Sequence, residues 1–395
     1  MNKEIVSQKI ELIVNEILLR INECTKDKQL GILNGNFGIL LFLFYYVRYS
    51  KKQSIITLVE KYAEELLMVL PKGVQHYTFC SGLSGILYLF NFLRNHQFID
   101  IDIGPYKAEF ELYIMNEMKK DFAIGNYDFM HGALGGGIYF LGQHSNKKSI
   151  DDVVNYLYSI AEVDDTKNVF KWQSLINSTS DIRGYNISLS HGISSIIIFL
   201  CNVIKGGIDN KKIRLMLKGS INYVLSQQVD VAEYGCYFPS HSLEYSSTLK
   251  SRLAWCYGDL GIAMSLWQAG KLLVDSELQK KSLEILIHST SRISYSKSVV
   301  NDAGICHGSA GIVMVYNRMY IDTRMDLFKE ARNYWLIRTL NYSYHNDGLA
   351  GYKTVCGKEL IKDYSLLTGI SGIGLVLISC LAGDKQDWDS FFLLS

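Results

Sequence analysis

Two textures of apolar and polar positions alternate along this chain. The first is a run of about ten almost unbroken apolar residues, opened by a Gly-x-x-Gly-like turn. It recurs seven times, starting at Gly35 (GNFGILLFLFYY), Gly82 (GLSGILYLFNFL), Gly132 (GALGGGIYFLG), Gly192 (GISSIIIFLCNV), Gly258 (GDLGIAMSLWQA), Gly308 (GSAGIVMVYNRM) and Gly369 (GISGIGLVLISC). The starts are 47 to 66 residues apart, a spacing that marks a repeat architecture. The second texture is amphipathic, with charges at helical spacing, over 4–23, 54–70, 106–122, 149–163, 211–228, 276–293 and 324–342. In the last of these, Leu327, Ala331, Trp335 and Leu336 are expected to form one stripe.

Each repeat therefore reads as an outer amphipathic helix, a loop, a glycine turn and an inner helix apolar nearly all round. The expected fold is all-α, an (α/α) barrel or toroid of seven helix pairs forming one domain over residues 1–395. An open solenoid is the alternative, and it would expose a terminal inner helix. Glycine suits turns that need a positive φ or a close backbone approach. With parallel inner helices, all seven turns gather at one end, together with the side chains they carry. Two connections are long, 142–186 and 229–255, and either could carry a small inserted subdomain or a substrate-contacting loop.

Composition narrows the function. Forty basic against 39 acidic residues give a net charge of +1, without the basic excess that binds nucleic acid or an acidic tail. Only 3 prolines occur, which favours helices. The apolar runs fall short of the ~20 residues that span a bilayer, so no transmembrane segment is expected. The start carries acids and no apolar core of a signal peptide. The eight cysteines, at 24, 80, 201, 236, 256, 306, 356 and 380, are scattered, unlike a secreted disulfide framework. A cytoplasmic location follows.

The turns carry the chemistry. Ala-Trp-Cys-Tyr-Gly at 254–258 and Cys-His-Gly at 306–308 offer Cys256, Cys306 and His307. Two thiolates and an imidazole make a zinc ligand set with one position open. An isolated cysteine usually just packs, and Cys80, in Cys-Ser-Gly, is taken as offset by one residue from Cys256 and Cys306 and is read that way. Two cysteines at equivalent places, one beside a histidine, weigh toward a metal. Ser-His-Gly at 190–192 adds His191, a proton carrier near neutral pH. His131 holds the same slot before Gly132, as a secondary candidate. Asp128, four residues before Gly132, either orients a histidine or caps the turn. Arg252 and Tyr257 flank Cys256; Arg252 could stabilise an anion and Tyr257 could donate a proton, or both could be structural. No P-loop occurs.

At these residues the chain resembles the lanthionine synthetase C-like family, the lanthipeptide cyclases. The resemblance covers essentially the whole chain: Asn-Tyr-Asp-Phe-Met-His-Gly at 126–132, Ser-Leu-Ser-His-Gly at 188–192, Ser-Arg-Leu-Ala-Trp-Cys-Tyr-Gly-Asp-Leu-Gly at 251–261, Ile-Cys-His-Gly-Ser-Ala-Gly at 305–311, Ser-Leu-Leu-Thr-Gly-Ile-Ser-Gly-Ile-Gly at 365–374 and Asp-Trp-Asp-Ser-Phe-Phe-Leu-Leu at 387–394. Two positions depart from the pattern, Ser195 in place of the second glycine of the fourth turn and Leu260 where a proline is common. The resemblance implies a seven-fold α/α barrel and one zinc ion on Cys256, Cys306 and His307. His191 and Asp128 become acid–base candidates, with Arg252 and Tyr257 nearby. The implied activity adds precursor-peptide cysteines to dehydroalanine or dehydrobutyrine, giving thioether rings. The chain looks like a stand-alone cyclase, with a dehydrated precursor peptide as substrate. A dehydratase and an export transporter are the expected partners, through which it would associate with a membrane. Two other functions stay open: addition of a small thiol such as glutathione to dehydro residues, and a non-catalytic, zinc-stabilised scaffold that binds a peptide. A glycosidase is open from the fold alone.

Overall fold

The computed structural model describes residues 3–24, 29–99, 101, 103–142, 147–177, 182–245, 248–383 and 387–395. In chain order the helices are α1 (Lys3–Cys24), α2 (Asn36–Ser50), α3 (Gln53–Gly73), α4 (Leu83–Asn95), α5 (Gly104–Ile124), α6 (Ala133–Leu141), α7 (Lys147–Ile160), α8 (Ile193–Lys205), α9 (Lys211–Ser226), α10 (Val231–Tyr234), α11 (Asp259–Leu273), α12 (Ser276–Ser289), α13 (Tyr295–Ser298), α14 (Ser309–Thr323), α15 (Asp326–Asn341) and α16 (Ile370–Ala382). Six short strands, β1 (Glu162–Asp164), β2 (Val169–Lys171), β3 (Ser174–Asn177), β4 (Ile182–Gly184), β5 (Thr354–Cys356) and β6 (Glu359–Ile361), pair as β1–β2, β3–β4 and β5–β6, all antiparallel.

All seven apolar runs are helices that begin on the residue after their glycine. Their all-round apolarity matches their burial: α8 is buried at every residue from Ile193 to Cys201, and α11 from Asp259 to Gly270. The outer helices bury one stripe. On α1 that stripe is Val6, Ile10, Ile13, Val14, Ile17 and Ile21, while Ile5, Leu12 and Leu19 face solvent. Each buried aliphatic side chain contributes roughly 1.5–3 kcal/mol. On α15 the stripe is shifted from the expectation: Phe328 is buried with Ala331, Trp335 and Leu336, and Leu327 is exposed.

The described chain divides into two compact units, Met1–Pro105 with Val300–Asp387, and Tyr106–Val299 with Trp388–Ser395. In the first unit α2 packs on α3 and α14 on α15, and α1 packs chiefly on α16. In the second, α6 packs on α7, α8 on α9 and α11 on α12. By backbone contact these inner helices pack chiefly on the outer helix that follows, although α6 also meets the preceding α5, where the Tyr139 hydroxyl donates to Glu111 at 2.9 Å, and α2 meets the preceding α1. The long connection 142–186 contributes α7 and the strands β1 to β4; its residues 143–146 and 178–181 lie outside the described residues.

The glycine turns share one hydrogen bond. The N–H after the glycine donates to the carbonyl seven residues back: Asn36 to Gln29 at 2.9 Å, Leu83 to His76 at 3.0 Å, Ala133 to Asn126 at 3.2 Å, Ile193 to Asn186 at 2.8 Å, Ser309 to Asp302 at 3.0 Å and Ile370 to Asp363 at 3.0 Å. This doubled-back path explains the glycine. A Cβ on Gly82 would sit 2.1 Å from the His76 carbonyl oxygen, although its φ of −136° suits any residue. Only the fifth turn differs, with Gly258 at φ +80°. Ser195 leaves the fourth turn intact, its hydroxyl donating to the Gly192 carbonyl at 2.7 Å.

A second set of backbone bonds joins turn to turn, always through the residue two before the glycine. In the first unit Cys306 N–H donates to Leu367 O at 2.9 Å, Leu367 N–H to Leu33 O at 2.7 Å and Leu33 N–H to Cys80 O at 3.0 Å. In the second unit Ser190 N–H donates to Cys256 O at 3.4 Å. The first, second, sixth and seventh turns in the first unit, and the fourth and fifth in the second, are thereby laced edge to edge. Replacing Gly82 with Ala forces its own doubled-back turn open against the His76 carbonyl and is expected to cost about 1–3 kcal/mol in urea unfolding. Gly207→Ala, with nothing within 4 Å of its Cβ at φ +87°, costs only the left-handed strain of about 1–2 kcal/mol.

Candidate functional site

In the second unit three turns bring their chemistry together. Asp128 lies two residues after Asn126, whose side-chain oxygen accepts the Asp128 N–H at 3.3 Å. The Asp128 Oδ1 accepts the N–H groups of Met130 at 2.6 Å and His131 at 2.8 Å. Its Oδ2 lies 2.7 Å from His191 Nδ1. One Asp128 oxygen thus anchors the turn and the other meets a histidine, while the N-cap of α6 is Gly132, with no side-chain cap bond. His191 is placed by its own turn, its N–H donating to Ser188 Oγ at 3.2 Å. Next to it, Ser190 bonds the Cys256 carbonyl through N–H and, at 3.3 Å, through Oγ. That pair of bonds sets the Cys256 turn beside the histidine.

Burial opposes ionisation of Asp128, but the His191 charge and hydrogen bond, helped by His131, outweigh it and hold the carboxyl below the ordinary range. Burial likewise opposes the charged form of His191. Asp128 and, less strongly, Cys256 overcome it and raise the imidazole above its ordinary value. The His191 ring lies between His131, stacked at 5.7 Å, and Tyr257 at 6.0 Å. Tyr257 takes a hydrogen bond from Asn186 Nδ2 at 3.3 Å and meets His241 edge-on at 5.4 Å. Burial first, then the nearby His191, lowers the pKa of His241. The two histidines are thus pushed in opposite directions, the pattern that separates proton donor from acceptor. Arg252 is half-buried on the same segment as Cys256.

The residue after Gly258 fixes that segment. Asp259 is fully buried and pairs with buried Arg292 at 3.0 Å, while its other oxygen accepts the N–H groups of Tyr237 and Phe238, each at 3.0 Å. Arg292 also donates to the carbonyls of Ser251 and Lys297. One ion pair ties the 229–255 connection and the 291–299 loop to the Cys256 turn.

In the first unit Cys306 and His307 are half-buried on the sixth turn. His307 Nε2 lies 3.4 Å from Oδ2 of Asp302, which is 2% exposed. Cys80 is not offset from the other two, because it stands two residues before its glycine as Cys256 and Cys306 do, and it is buried as Cys256 is. Two functional positions escaped the sequence reading. Asn186 and Asp302 both stand six residues before a turn glycine, as Asn126 and Asp363 do. Each of the four accepts, on its side-chain oxygen, the N–H two residues on; an alignment of the repeats on their glycines exposes that slot. His241 belongs to no repeat, and nothing in the sequence marks it.

The expected zinc ligands divide between the units, Cys256 in the second and Cys306 with His307 in the first. Among the described residues no group of three or more His, Cys, Asp and Glu side chains is arranged to hold a metal ion. The donor chemistry fits zinc, and a histidine whose second nitrogen faces a buried carboxylate is what a zinc-ligating imidazole commonly has. Among the described residues no helix is long and apolar enough to cross a membrane.

Helix pairs that carry thiols, imidazoles and a carboxylate on their glycine turns define an α/α-repeat protein with a site built from its turns. Residues 26–393 match the model of the family described as lanthionine synthetase C-like protein, and the chain belongs to that family. Among solved structures it is similar to nisin cyclase, with a TM-score of 0.76 and 19% identity over 96% of each chain. That likeness shows the fold, the α/α-toroid class that the repeats predict.

Two outcomes follow from the buried charges. Asp259→Ala leaves Arg292 buried without its carboxylate and is expected to cost about 3–5 kcal/mol in urea unfolding. The His191–Asp128 pair has a pH signature. The raised His191 contributes stability in full below its ordinary 6.5, lost as pH rises through the folded-state value. The lowered Asp128 contributes above its ordinary 3.8, lost as pH falls through its folded value. The stability lost in Asp128→Asn, measured by urea unfolding, should therefore be larger at about pH 5.5 than at about pH 8.5. An equal loss at both would refute the pairing.

Proposed function

We propose that this chain is a lanthipeptide cyclase. Its substrate is a precursor peptide carrying dehydroalanine and dehydrobutyrine, and its products are lanthionine and methyllanthionine rings. The observation that carries the reading is the His191–Asp128 pair at 2.7 Å, held beside the Cys256 turn. Family membership supports it. One zinc ion per chain is the proposed cofactor, with Cys256, Cys306 and His307 as the side chains that would hold it. When bound, it would supply the Lewis acidity that deprotonates a substrate thiol, whose ordinary pKa is about 8.5.

The remaining chemistry falls to the chain. The new C–S bond forms at the β-carbon of the dehydro residue and leaves an enolate, whose α-carbon must gain one proton. His191 is the proposed donor. Its Nδ1 is engaged by Asp128, so Nε2 is the nitrogen that delivers the proton. The proton released by the substrate thiol restores the imidazolium, so ring closure adds no mass. Arg252 is assigned to the enolate oxygen. Tyr257, held by Asn186, is assigned as a second hydroxyl donor. A dehydratase that makes the substrate and a transporter that exports the product are the proposed partners, at the cytoplasmic face of a membrane.

His191→Ala should keep its zinc and lose about 10²–10⁴-fold in the rate of ring closure, followed as loss of alkylatable thiols at constant peptide mass. Cys306→Ala should lose zinc and ring closure together. A peptide that gains the mass of a tripeptide thiol would replace this reading with small-thiol addition. Wild-type ring closure in His191→Ala would remove its assigned role.

A further inference from the structure

The Cys306–His307 turn carries a carboxylate that the proposed chemistry does not use. Asp302 is buried in the first unit, and both its oxygens are already fixed by backbone. Oδ1 accepts the Gly304 N–H at 3.1 Å, and Oδ2 accepts the Val355 N–H of β5 at 3.1 Å. Gly308 closes against it, since a Cβ there would lie 2.2 Å from Oδ1. The carboxylate cannot swing away without breaking the turn. Oδ2 is also the atom 3.4 Å from His307 Nε2. A carboxylate has room for about four donors, so two backbone N–H groups leave capacity for an imidazole N–H.

We infer that Asp302 is a positioning residue for His307: it keeps the imidazole proton on Nε2 and so presents the Nδ1 lone pair to a metal ion. A neutral imidazole carries its proton on one nitrogen only, and an ionised carboxylate accepts but never donates. Placing it against Nε2 selects the tautomer and the ring orientation together. A carboxylate behind a metal-ligating histidine is commonly worth 10–100-fold in metal affinity. This also gives β5 a purpose, because the Val355 N–H steers the oxygen that faces the histidine. The equivalent residue of the seventh turn, Asp363, bonds instead to Ser365 and Thr368, and that turn has no histidine before its glycine. A carboxylate six residues before the glycine, facing a histidine one residue before the same glycine, is therefore particular to the sixth turn rather than a by-product of the repeat.

This inference rests on the zinc reading above, and its test separates the two. Zinc affinity is measured by chelator competition on full-length wild type, Asp302→Asn and His307→Ala. In Asp302→Asn the amide oxygen can still accept the Gly304 N–H, but an NH₂ group now faces His307 and favours the opposite tautomer. The expected result is a folded protein whose zinc affinity falls about 10–100-fold, between wild type and His307→Ala. Wild-type affinity in Asp302→Asn would overturn the assignment. The second measurement is the histidine ¹⁵N spectrum of metal-free wild type, with the His307 signal assigned by its loss in His307→Ala. A proton on Nε2 supports the inference, and a proton on Nδ1 overturns it, even where Asp302→Asn fails to fold. Wild type that binds no zinc would defeat the cofactor reading, while the tautomer would still decide the role of Asp302.

Discussion

The backbone bonds between neighbouring glycine turns are the constraint on which the rest of each unit depends. They run through the residue two before the glycine, using its N–H and its carbonyl. Such bonds are indifferent to the side chain. Leu33, Cys80, Ser190, Cys256, Cys306 and Leu367 all take part, so a leucine that packs and a cysteine that offers a thiol can be exchanged without disturbing the lacing. A repeat that fixes its backbone this way is free to vary the chemistry it displays. It also displays that chemistry rigidly, because each such residue has a backbone bond to a neighbouring turn as well as the bonds of its own turn.

The buried acids extend the same logic. Asp128 and Asp259 each spend one oxygen on backbone N–H groups and turn the other toward a cation or an imidazole, whereas Asp302 has both oxygens on backbone N–H groups and one of them also faces an imidazole. A carboxylate held by two or three donors is already desolvated and oriented, so its partner is placed at little further entropic cost. Local turn chemistry and site geometry are thus set by the same side chains. This explains why an aspartate near a turn glycine reads from sequence as a simple cap.

Much of the fold was legible because it rests on periodicity. Seven apolar runs after seven glycines placed the starts of the inner helices to within a residue, and helical charge spacing placed the outer helices within a few residues. The stripe on α15 was misjudged by one position, Phe328 for Leu327, since adjacent apolar residues give a period analysis no way to choose between them. The partner of each helix was also out of reach, because amphipathicity says which face is buried and nothing about what covers it. Of the candidate site, His191, Asp128, Tyr257 and Cys256 were legible through their shared place before a glycine, and the structure brings these four together. The short strands of 162–184 carry no clear alternation. His241 arrives from an irregular segment, where only tertiary structure shows that it meets Tyr257.

The packing of α1 on α16 has a consequence for the order of assembly. The α6–α9 and α11–α12 pairings of the second unit lie within one continuous stretch of chain and can form as that stretch emerges from the ribosome. By contrast, α1 is made early and finds its main partner only when α16 appears, more than 340 residues later. Until then its stripe of isoleucines and valines has no permanent cover. The loop-closure entropy for so long a separation grows only logarithmically, so the equilibrium cost is modest and the exposure is chiefly one of time. The nascent chain therefore passes through a period in which α1 is less protected than helices made after it.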